Sequence, residues 1–149
     1  MRRSLLLPAL LLVVSTLSAQ ATKEQAKALV KEAAAYLKSQ GKLALLRETN
    51  QGGGRFHVKP GGDCYLFVFD LKGNALAHGS QADMVNISRW DSRDPEGTYF
   101  VREFIQTART SGNGWVDYKY LHPVSHKLVG KTSYVELVDG LVLGCGVYK

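Results

Sequence analysis

The sequence predicts an α+β fold built on an antiparallel sheet, and three observations predict it. A segment with helical periodicity opens the region after residue 21, two short apolar runs joined by a turn follow, and three further strand-like runs close the chain. No strand, helix, strand unit repeats regularly, so a parallel sheet is disfavoured.

Each element has its own signal. Over residues 22 to 39, Ala26, Leu29, Val30, Ala33 and Leu37 recur at three and four while lysines and glutamates fill the other side, which predicts an amphipathic helix. Thr22 with Gln25 three residues on is a capping-box pattern. Gly41 marks a break, residues 42 to 48 resume the helical pattern, and Asn50 with the glycines 52 to 54 stops it. From Cys64 to Asp70 the text is apolar on both faces, as in a central covered strand. Asp70 to Asn74 then supplies hairpin-loop residues and Ala75 to His78 the returning strand. Residues 79 to 97 hold no sustained period, and a stretch of that length in a compact domain is commonly functional. Phe100, Val101, Phe104, Ile105 and Ala108 mark a second amphipathic helix that ends near Gly112. Strands are predicted over Trp115 to Tyr120, Lys131 to Val138 and Leu141 to Tyr148, the last two joined by the tight Asp139, Gly140 turn.

Before the first helix, the amino terminus reads as a secretory signal peptide, residues 1 to 21. Arg2 and Arg3 form a basic start, Leu5 to Leu17 an apolar run, and Ser18, Ala19 and Ala21 supply the small residues of a cleavage site after Ala21, with Ala19 as the alternative. That run is broken by Pro8, Ser15 and Thr16 and falls short of the roughly 20 apolar residues of a membrane span. An uncleaved anchor is the competing reading. The remainder, 22 to 149, is expected to form one domain. Of 19 basic residues in the chain two lie in the leader, leaving 17 against 13 acidic ones. These charges are mixed along the chain, as in Lys31 and Glu32, so no basic stripe suits nucleic acid. No second long apolar segment follows, and the expected location is periplasmic or secreted.

The text "GGGRFHV", "CYLFVFDLKGNALAH", "DPEGTYFVREFIQTARTSGNGWVDYKY", "KTSYVE" and "GLVLGCGVY", in that order and spacing, resembles the single Cache domains (type 2) that serve as extracytoplasmic sensing modules of bacterial chemoreceptors and histidine kinases. The resemblance covers about residues 22 to 148. It implies a PAS-like five-stranded antiparallel sheet in order 2-1-5-4-3, a long amino-terminal helix, and a helix between strands 2 and 3. It also implies a pocket between the sheet and the segment after strand 2, with small organic acids among the ligands and a membrane receptor or sensor kinase as partner. Receptor relatives continue into a second membrane helix and a transmitter, so this chain is expected to be a standalone sensing domain.

That strand order makes the first and fifth strands antiparallel neighbours. With Phe67 opposite Val142, Cys64 would face Cys145, and an exported protein can hold such a pair as a disulfide. Two buried thiols are the alternative.

A carboxylate pocket needs a fixed cation, a few polar donors and apolar walls. The ligand-binding candidates are His78 at the end of the second strand, Arg89, Trp90 and Arg93 in the irregular segment, Trp115 and Tyr118 in the "GW..Y" pattern, and Lys131 with Tyr134 in "KTSY". Trp115 and Tyr118, like Lys131 and Tyr134, are three apart and fall on opposite faces of a regular strand. A core or solvent role competes for each of them. No cofactor is implied, and no metal: His122 and His126 are four apart, but Pro123 follows the first and the segment connects strands. No nucleophile elbow, zinc-protease motif or phosphate loop is present, so no catalytic residue is assigned. Two rival readings are a protein-interaction or dimerisation module whose pocket its own side chains fill, and a small exported enzyme using His78 with Lys131 or Tyr134.

Overall fold

A computed structural model describes residues 20–149; the expected signal segment lies almost wholly outside them. The elements run α1 (Lys23–Gln40), α2 (Lys42–Asn50), β1 (Phe67–Asp70), β2 (Ala75–His78), a short 3-10 turn (Ala82–Met84), α3 (Phe100–Ser111), β3 (Asn113–Leu121), β4 (Leu128–Val138) and β5 (Leu141–Tyr148). The five strands form one antiparallel sheet in order β2-β1-β5-β4-β3. None of the described helices is long and apolar enough to cross a membrane.

The capping box forms as the sequence predicts: Gln25 N–H donates to Thr22 Oγ1 (3.2 Å) and Thr22 N–H to Gln25 Oε1 (2.8 Å). From that start α1 lays Ala26, Val30, Ala33 and Leu37 on one sheet face, against Leu66, Val68, Tyr134, Leu143, Cys145 and Val147. Helix α3 covers part of the other face with Phe100, Val101, Phe104, Ile105 and Ala108, against Phe67, Phe69, Tyr118, Val135 and Val142. Because strand side chains alternate, each strand feeds both layers, and the sheet is buried on both sides through its centre.

Two expectations are corrected. The first strand is shorter than the apolar text suggests, because Leu66 turns its backbone bonds to Phe56 O (3.0 Å) and, as acceptor, to Gly79 N–H (2.8 Å) before the β5 ladder begins. The β1 to β5 register also differs by two residues: Phe67 pairs with Gly144, not with Val142. The reason is steric. The Phe67 ring lies over residue 144, where a Cβ would come within 2.1 Å of it, so glycine is the residue able to receive the ring. Cys64 and Cys145 are consequently not direct ladder partners, yet their sulfur atoms meet at 3.4 Å as thiols.

After β2 the irregular segment runs back along the outer edge of the hairpin. Asn86 N–H donates to Ala75 O (2.8 Å), Ala75 N–H to Ile87 O (3.0 Å) and Arg89 N–H to Gly73 O (2.8 Å). These bonds satisfy the sheet edge and hold Met84 and Arg89 over the uncovered end of the α3 face.

Candidate functional site

Where α3 ends its cover, the sheet face carries polar groups among aromatics. A small inner cavity there is lined by Phe67, Phe69, His78, Met84, Phe100, Phe104, Tyr118, Tyr120 and Lys131. Its free volume is about 10 Å³, room for at most one water.

Lys131 is its chemical centre. The side chain is only 1% exposed, and none of the ion pairs among the described residues involves it. Nζ donates to Tyr65 Oη (2.8 Å), and the Tyr65 and Tyr148 hydroxyls lie 2.8 Å apart. Tyr148 donates onward to Leu121 O (3.0 Å), so the chain of hydroxyls points away from the lysine. Lys131 therefore spends one of its three protons on this chain. Ring faces surround its charge: Tyr65 at 4.4 Å, Tyr148 at 4.6 Å, Tyr120 at 5.0 Å, Phe67 at 5.8 Å and Tyr118 at 6.0 Å. Such contacts offset part of the cost of burying a cation, about 2 kcal/mol for a desolvated pair.

His78, 4% exposed, stands beside it. Its Nδ1 accepts N–H from Gln81 (3.1 Å) and Ser80 (3.4 Å), which assigns the proton to Nε2, 3.5 Å from Tyr120 Oη. Burial, with the charges of Lys131, Arg89 and His57 acting in the same direction, depresses its pKa to about 3, so the ring is neutral near pH 7. Tyr120 donates to Gln81 Oε1 (2.7 Å) and Tyr118 bonds Ser133 Oγ (2.9 Å). Burial raises the pKa of both phenols, keeping them protonated. The cavity thus presents an ammonium, a neutral imidazole N–H and rings, a set suited to a small anion with an apolar body.

The sequence candidates divide among four places. His78, Tyr118 and Lys131 meet in the inner cavity. Arg89 and Arg93 line an adjoining open cleft. Trp90 packs over Gly73 of the hairpin, where a Cβ would sit 3.1 Å from its ring, and otherwise faces a separate surface groove beside Arg102 and Arg109. Trp115 and Tyr134 are direct cross-strand partners on the α1 face, 5.5 Å between rings, with Lys23 and Lys27 over them. Strand alternation places these two away from the cavity, and Tyr134 gives its hydroxyl to Glu136 (2.8 Å). His78 and Tyr134 are therefore not brought together. Tyr65, Tyr120 and Tyr148 belong to the site without having been singled out in the sequence. Tyr120 could have been found, since it lies two residues from Tyr118 on the same face. His122 uses Nδ1 to accept Val124 and Ser125 N–H (3.1 and 3.3 Å), closing the turn after β3. Among the described residues no group of three or more His, Cys, Asp or Glu side chains could hold a metal.

This architecture defines a sensor-type ligand-binding module. The chain belongs to the Single Cache domain 2 family, whose model matches residues 13–149. It is 36% identical over 90 residues to the sensor histidine kinase MctS of Rhizobium johnstonii, an alignment covering 59% of this chain and 19% of that one. It is 31% identical over 88 residues to the methyl-accepting chemotaxis protein McpP of Pseudomonas putida, covering 58% and 16%. The chain thus spans less than a fifth of the length of these curated relatives. Among solved structures it is similar to a periplasmic sensor domain of a chemotaxis protein (TM-score 0.66, 28% identity, 84% of this chain and 88% of that chain). It also has the fold of a Cache chemosensory domain described for carboxylic acid recognition (TM-score 0.69, 22% identity, 84% and 91%).

Proposed function

We propose that this domain is an exported sensor that reversibly binds a small carboxylate in the inner cavity, without chemistry, and passes its occupancy to a membrane partner. The observation that carries this reading is Lys131, a buried ammonium with no carboxylate partner among the described residues and two protons beyond its bond to Tyr65. A carboxylate at this point would accept from Lys131 Nζ and from His78 Nε2–H, and its apolar body would face Phe67, Phe69, Phe100 and Phe104. The carboxylic acid recognised by the structural neighbour of the same fold supports that ligand class. Entry requires a wall of the nearly closed cavity to move, and Met84 is the wall that the covering segment supplies. Met84 sits on the short 3-10 turn of the covering segment, so binding is coupled to a displacement that a partner could read.

A second reading is favoured by that same closure: a protein-interaction module whose cavity its own side chains fill. Thermal shift separates the two, since a ligand that binds only the folded state raises apparent stability. With a panel of carboxylates, amino acids and amines at about 10 mM, carboxylates raise the midpoint and amines do not. No shift with any compound supports the interaction module instead.

A further inference from the structure

Beyond the inner cavity lies an open cleft of about 330 Å³, and the two share Met84, Phe100 and Tyr120 as walls. The partition between them is therefore one side chain thick. Arg89 and Arg93 line the outer cleft, with Gln81 and Ser92 beside them. Arg89 Nε is buried with no hydrogen-bond partner, and its Nη2 lies against Met84 Sδ, a thioether and a weak acceptor. Arg93 is exposed and takes part in no ion pair among the described residues. Asp94, the acidic residue that lines the cleft, is already engaged, as is Glu96 beside it. Asp94 accepts the backbone N–H groups of Glu96 (3.0 Å), Thr98 (2.9 Å) and Lys119 (2.8 Å), and Glu96 pairs with Lys119 Nζ (2.7 Å).

A guanidinium left with an unpartnered buried nitrogen and a sulfur contact is poised to exchange that contact for a carboxylate, whose two oxygens match its fork. We infer that the outer cleft is a second anion subsite and that the domain is built for a short dicarboxylate. Its inner carboxylate reaches Lys131, and its outer carboxylate is held by Arg89 and Arg93. The same event draws Arg89 off Met84, which frees the residue that closes the inner cavity. This inference rests on the carboxylate reading of that cavity.

Calorimetric titration of the purified chain with propionate, succinate and glutarate at one fixed ionic strength tests it. One added charge-assisted pair predicts that the better dicarboxylate binds about tenfold or more tightly than propionate. Arg89→Gln and Arg93→Gln each shrink that ratio toward one; Arg93 is exposed, so its variant keeps the fold. Equal affinities in the unmodified chain, or a ratio that survives both substitutions, would overturn the second subsite while leaving the inner carboxylate site standing. If neither mono- nor dicarboxylates bind, the carboxylate reading itself falls, and the second subsite with it.

Discussion

Gly146 makes the space that Lys131 occupies: a Cβ at residue 146 would lie 2.5 Å from Lys131 Cε and 2.2 Å from Ser133 Oγ. The alternation Gly144, Gly146, Tyr148 along β5 therefore shapes the site from the strand next to β4. The two glycines seat the Phe67 ring and the lysine stem, and the tyrosine ends the hydroxyl chain. Gly146→Ala is expected to displace Lys131 and to cost about 1–3 kcal/mol in stability, as overpacking does. Urea unfolding measures the cost, and ligand titration should show weakened carboxylate binding even where the fold survives.

His78 gives the domain an acid-sensitive stability. Its pKa is about 3 in the folded chain against 6.5 for an exposed imidazole. Below pH 6.5 the unfolded chain takes up a proton that the folded chain refuses until about pH 3. Stability is therefore undiminished above pH 6.5 and falls as pH drops through this window, by up to about 1.4 kcal/mol per pH unit. Between pH 7 and pH 5 the chain should lose roughly 2 kcal/mol more than His78→Gln does. Denaturant unfolding at the two pH values makes the comparison, and identical losses would count against a buried neutral ring.

Cys64 and Cys145 are poised for oxidation. A hydrogen bond from the Cys145 side lowers the Cys64 pKa, while the same contact and burial push Cys145 well up, so Cys64 is the thiolate that attacks. Closing sulfurs from 3.4 Å to bonding distance needs a small adjustment. With glutathione disulfide as oxidant, the two thiols are expected to form one bond and release two glutathione thiols. Joining residues 81 apart would add about 4.5 kcal/mol in the chain-entropy model. Thiol titration of the oxidised, denatured chain should find no free thiol; two free thiols would contradict the pairing.

Much of the fold was legible because its signals are local. Thr22 and Gln25 cap α1 as their spacing says, and period two assigns Trp115 and Tyr118 to opposite faces, which is how they lie. The site was legible only in part. Lys131 meets Tyr65 across 66 residues, and Tyr65 meets Tyr148 across 83. Those meetings depend on the β1 to β5 register, and that register depends on an aromatic ring fitting over Gly144. Nothing in the local pattern of either strand specifies that fit. Trp90 was drawn to the pocket by its place in the covering segment, but the close approach of its ring to Gly73 pins it elsewhere.

Lys131 is the group proposed to receive the ligand's carboxylate, and Lys131→Met removes that group alone. The substitution keeps the length and apolar stem while removing the charge, and the Tyr65 hydroxyl that loses the Lys131 donor keeps its contact with Tyr148. Thermal unfolding of the unmodified chain and of Lys131→Met, each with and without saturating carboxylate, is the decisive measurement. The carboxylate is expected to raise the midpoint of the unmodified chain by several degrees and to leave that of Lys131→Met unmoved. An equal carboxylate shift in both proteins would contradict that role for Lys131.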